Sequence, residues 1–122
     1  MSLAHKETHV ESHLVGKWQL NYDGCIETYE YQENGIMVAK SKDEIINRKY
    51  HTTTIDAYTL YVEMEPVKTN GLESCTGKVS SLDDLNHLKI FVNFQKDYNS
   101  HYVSFNPSDY KSNNLGSFVR VD

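Results

Sequence analysis

"HLVGKWQLNY", residues 13–22, holds the chain's only tryptophan, two residues after Gly16. Within it Trp18, Leu20 and Tyr22 alternate with Lys17, Gln19 and Asn21. Successive side chains of an extended strand point to opposite faces, so this period of two describes a strand with one apolar face. The same period recurs downstream. "YTLYVEME" sets Leu60, Val62 and Met64 against Thr59, Tyr61, Glu63 and Glu65, and "HLKIFVNF" sets Leu88, Ile90, Val92 and Phe94 against Lys89, Phe91, Asn93 and Gln95. "CIETYEYQ", "IMVAK", "RKYHTTTI", "HYVSF" and "GSFVRV" are further short runs rich in β-branched and aromatic residues, and "CTGKVSSL" is a weaker one. Asn34-Gly35 between two runs is a hairpin signal, because both residues tolerate the positive φ of a type I′ turn. Only "AHKETHVESHLV" at the N-terminus and a single turn at "KDEII" have helical character. Many sequential antiparallel strands with almost no helix predict an all-β fold, an antiparallel up-and-down barrel of about eight strands. Closing the sheet removes its exposed edges.

The totals set limits. A chain of 122 residues reads as one domain, residues 1–122, with residues 1–13 as an N-terminal segment. Its opening "MSL" reads as a start introduced ahead of a mature chain. The net charge is −5, from 17 acidic and 12 basic residues, and the basic residues are scattered. Nucleic acid and anionic membranes are therefore poor partners. No apolar run approaches the roughly 20 residues that span a bilayer. Cys25 and Cys75 form no CxxC pair and are too few for a structural zinc site. Their polar, strand-like surroundings suggest a disulfide closing a loop of about 50 residues, a constraint of roughly 4 kcal/mol. Such a bond implies an oxidising compartment, hence a periplasmic or secreted protein.

Gly16-Lys17-Trp18 at the entry of the first strand, together with Arg120 in "SFVRV" near the C-terminus, resembles the signature of the lipocalins and the wider calycin group. The resemblance implies that Trp18 sits at the closed end of a barrel, with Arg120 packed across its ring and bonded to carbonyls of the N-terminal segment. It covers the architecture of the whole chain but few residues in motif. The chain is shorter than a typical lipocalin, and it lacks the usual long helix and the middle Asp-containing motif. "GKWQLNYDGC" also resembles the start of small periplasmic inhibitors of bacterial metalloproteases, which are short calycin-type barrels. That likeness implies an N-terminal arm that reaches into a protease.

Other constellations are weaker. His5, His9 and His13 fall at i, i+4 and i+8, a metal-like spacing on a helix, but they lack a completing ligand, so no metal or other cofactor is expected. No nucleophile motif or phosphate loop is present. Glu27 and Glu30 point to opposite faces of one strand and read as a solvated face. No enzyme is expected. The barrel interior is the remaining candidate site, lined by Tyr29, Tyr31, Leu60, Val62, Met64, Ile90, Val92 and Phe94. Tyrosines in an apolar cavity offer a stacking face and one hydrogen bond, which suits an amphipathic ligand. Trp18, Arg120, Cys25 and Cys75 are the structural residues. The sequence thus points to a non-catalytic binder of a small hydrophobic or amphipathic ligand, a monomer or weak dimer. The alternative is a protein-interaction module such as a secreted protease inhibitor. A cavity of about 300 Å³ or more favours the first, and a solid core with an ordered, projecting N-terminal arm the second.

Overall fold

A computed structural model describes residues 10–105 and 116–121. Eight strands follow one another around a closed barrel: β1 (Gly16–Tyr22), β2 (Cys25–Tyr31), β3 (Ile36–Ser41), β4 (Glu44–Asp56), β5 (Thr59–Thr69), β6 (Leu88–Phe94), β7 (Ser100–Ser104) and β8 (Ser117–Arg120). Every neighbouring pair is antiparallel, and β8 returns to β1 through Trp18 opposite Arg120 and Gln19 opposite Val119. The all-β up-and-down barrel expected from the alternation is the fold observed. Leu60, Val62 and Met64 on β5 and Ile90, Val92 and Phe94 on β6 are all buried, as period-two runs with one apolar face require.

Asp23 and Gly24 both have positive φ and join β1 to β2, which is the type I′ arrangement. At the second hairpin only Gly35 has positive φ. There the Gln32 amide donates to the Ile36 carbonyl at 2.9 Å, and the Gly35 amide to the Gln32 carbonyl at 3.2 Å. The expected type I′ turn at Asn34-Gly35 is thus a longer loop with glycine alone in the left-handed position. The Asn34 side chain supports it by accepting from the Ile36 amide at 3.0 Å.

"KDEII" forms no helical turn. Lys42, at positive φ, and Asp43 make a tight turn, and Glu44 begins β4. Glu44, Ile46 and Arg48 continue inward the alternation of a long strand, and this outweighs a short helical tendency. "CTGKVSSL" is not a strand either. It lies in the β5–β6 connection, which pairs only through an isolated bridge between Glu73 and Val79. The register of β5 on β4 slips where Pro66 faces Arg48 and Lys68 faces Asn47, leaving Val67 as an extra residue. A proline, with no amide to donate, is accommodated at such a bulge.

One end of the barrel is plugged. A 3₁₀ turn, Val10–His13, crosses it and buries Val10 and Leu14 against Trp18. The Trp18 indole N–H donates to the Leu14 carbonyl at 2.9 Å. The Arg120 guanidinium lies 4.3 Å from the centre of the indole ring and donates to the carbonyls of His13 (2.5 Å), Val15 (3.2 Å) and Tyr98 (3.3 Å). The last strand, the first strand and the N-terminal crossing are thereby tied at the seam where the barrel closes. Stacking of this kind contributes about 0.5 to 2 kcal/mol.

Candidate functional site

Above the plug the interior is layered. Leu60, Val62, Val92 and Phe94 fill the plugged half with Trp18 and Leu14. His101 joins this layer. It stacks on Phe118 at 5.0 Å and meets the Trp18 ring edge-on at 4.3 Å. Its Nδ1 is buried with no hydrogen-bond partner. Burial, and secondarily the Arg120 charge, hold its pKa down at about 3, so the imidazole is neutral at ordinary pH. Phe118 is the floor between this layer and the open half, where it touches Tyr29 edge-on at 5.3 Å.

The open half holds a cavity of about 320 Å³. Of the residues expected to line a ligand site, Tyr29, Tyr31, Met64 and Ile90 border it, and Leu60, Val62, Val92 and Phe94 lie in the filled layer beneath. Met37, Ala39, Ile46, Leu88, Val103 and Phe118 complete the apolar wall.

The wall also carries charge. Glu27, Glu44 and Arg48 face the cavity. Glu27 accepts hydrogen bonds from the Tyr29 hydroxyl and, at 2.6 Å, from the Ser41 hydroxyl. It is not part of a solvated strand face. Glu27 shares the inward register of Tyr29 and Tyr31 and lies on the opposite face from Glu30, as the period of two requires. Glu44 and Arg48 are each only 7% exposed. Arg48 donates to the Asn86 carbonyl at 2.8 Å. Glu44 lies near the mouth, and among the described residues its carboxylate accepts no hydrogen bond and joins no ion pair. The one ion pair there is Lys42 with Glu73, on the surface.

Desolvation, and then the Glu27 charge, raise the Glu44 pKa, while Arg48 and Lys78 oppose that rise. Desolvation lowers that of Arg48, with Glu44 opposing. Burial drives the Tyr29 pKa far up, assisted by its bond to Glu27, and burial likewise raises Tyr31, so both phenols stay protonated. Glu44 and Arg48 were legible in principle: extending the β4 alternation two steps back from Arg48 places both on the inward face with Ile46.

The β5–β6 connection leans over this mouth and contributes Ser74 and Thr76 to the cavity wall. The Cys25–Cys75 disulfide ties it to β2. The Cys75 amide donates to the Ser41 hydroxyl at 2.9 Å, and the Asp43 amide to the Glu73 carbonyl at 3.0 Å. A continuous chain of hydrogen bonds therefore runs from the strap at Cys75 through Ser41 to Glu27 and Tyr29.

His5 and His9 lie outside the described residues. His13 stacks on Tyr98 with ring centres 3.7 Å apart, and its carbonyl holds Arg120. No group of three metal-ligating side chains occurs among the described residues. No helix among them is long and apolar enough to cross a membrane. Comparison with protein-family models, curated proteins and solved structures finds no match for the chain.

Proposed function

We propose that the protein is a non-catalytic binder that takes a small hydrophobic or amphipathic molecule into the open half of the barrel. The observation that carries this reading is the cavity of about 320 Å³, apolar along its wall and edged by Tyr29, Tyr31, Glu27 and Arg48. Pockets for small molecules have this size and this mixture of apolar wall and a few convergent polar groups. A cavity of that volume favours ligand binding over an inhibitor with a solid core. The barrel is of lipocalin-like, calycin type. That reading rests on Gly16-x-Trp18 at the plugged end, with Arg120 across the indole. The Cys25–Cys75 bond supports an exported protein, periplasmic or secreted, because such bonds persist in oxidising compartments.

Native mass spectrometry of the purified protein, beside the Ala39→Phe variant, tests the reading. Ala39 borders the cavity, and a phenyl ring there would fill much of it. Binding of co-purified molecules or of Nile red that is lost in A39F supports the proposal. A protein that stays bare with every apolar probe, or A39F binding as wild type does, overturns it.

A further inference from the structure

The charged groups in the cavity do not balance. Two carboxylates, Glu27 and Glu44, face one guanidinium, Arg48. Glu27 is satisfied by two hydroxyl donors. Arg48 is partly engaged by the Asn86 carbonyl. Glu44 is 93% buried, since 7% of it is exposed, and has neither donor nor counter-ion among the described residues. Lys78, on the strap, lies near enough to be felt by Glu44 but is itself exposed and makes no ion pair. The buried side-chain atoms left without a partner among the described residues are on Asn93 and His101, so the Glu44 carboxylate reaches the solvent of the cavity and is open to an incoming donor. The missing partner is a cation that also donates hydrogen bonds.

The walls suit the rest of such a molecule. Tyr29, Tyr31 and Phe118 place aromatic rings in the wall, which attract cations as well as apolar bodies, and Met37, Met64 and Ile90 add apolar surface. Resting on the cavity-binding reading above, we propose that the ligand is a primary or secondary amine on an apolar or aromatic body. Its ammonium is held by Glu44, with Glu27 as second acceptor, and its body packs against Tyr29, Tyr31 and Phe118. Arg48 then keeps the site from carrying two uncompensated negative charges when it is empty, and it disfavours ligands with more than one positive charge.

Calorimetric titration with two matched series decides the matter. One series is tryptamine, indole-3-propanol and indole-3-propionate, and the other is octylamine, octanol and octanoate. In at least one series the amine should bind ten times more tightly than the alcohol, and the carboxylate more weakly still. Glu44→Gln should remove the preference for amine over alcohol, and it should melt no lower than wild type because the carboxylate it replaces is unpartnered. Arg48→Met should widen the gap between amine and carboxylate, an independent readout should E44Q fold poorly. Equal binding within both series, or tighter binding of the carboxylates, overturns the amine assignment and leaves cavity binding standing. Failure of all six probes to bind overturns both.

Discussion

Protonation of His101 should limit the acid stability of this barrel. In the unfolded chain a histidine titrates near 6.5, whereas His101 in the folded barrel holds off its proton down to about 3. Burial is the larger cause, and the charge facing it is Arg120, across the Trp18 layer. Its other neighbours, Trp18, Phe94 and Phe118, carry no charge. The unfolded state therefore binds a proton that the folded state refuses. The stabilisation is fully present above about pH 6.5, declines as the pH falls, and is exhausted once the folded site itself titrates near 3. Each pH unit in that window costs about 1.4 kcal/mol, so acidification from pH 7 to pH 4.5 should remove about 3 kcal/mol through this residue. The assay is urea unfolding at both pH values for wild type and His101→Phe. Phenylalanine keeps the stack on Phe118 and replaces the orphaned Nδ1 with carbon, so the variant should match or exceed wild type at pH 7. It should also lose about 3 kcal/mol less than wild type on acidification. Equal losses in the two proteins would refute the reasoning, because the acid sensitivity would then belong to other groups.

Arg120→Ala should cost about 3 kcal/mol in urea unfolding, since it removes a stacked guanidinium and its bonds to three carbonyls, while Arg120→Lys should recover less than half of that. A loss below about 1 kcal/mol would deny that the seam depends on this residue. Reduction of Cys25–Cys75 should lower stability by about 4 kcal/mol on the loop-entropy account and should speed amide exchange first at Asp43 and Cys75. Uniform acceleration along the chain would show that the bond does not act through the strap. Gly116→Ala should destabilise by about 2 kcal/mol, because Gly116 has a φ of +123° and an added Cβ would lie 2.8 Å from Leu20 Cδ1. A melting temperature equal to wild type would contradict that close approach.

How much of this was legible beforehand follows from which interactions are local. Period-two alternation is a property of a few consecutive residues, so the inward faces of β1, β5 and β6 could be read directly. The crossing of Arg120 over Trp18 could be expected from a motif at each end of the chain. The start of β4 was obscured because "KDEII" also suits a helical turn, and only pairing with β3 across Lys42-Asp43 makes it strand. The hairpin at Asn34-Gly35 was anticipated but not its geometry, since the choice of turn depends on how Gln32 and Ile36 pair.

The candidate site was legible in kind and not in place. The sequence alone determined a meandering all-β chain with an apolar interior, because each strand's alternation is written in adjacent residues. The division of that interior into a filled half and a hollow half was decided only in three dimensions. It depends on how Trp18, Phe94, His101 and Phe118, from four different strands, stack into one layer beneath the open end. The meeting of Glu27 with Glu44 and Arg48 likewise arises because β2, β3 and β4 are neighbours whose inward registers coincide. Distances across a barrel are set by side chains remote in sequence, and no local pattern encodes the space left between them.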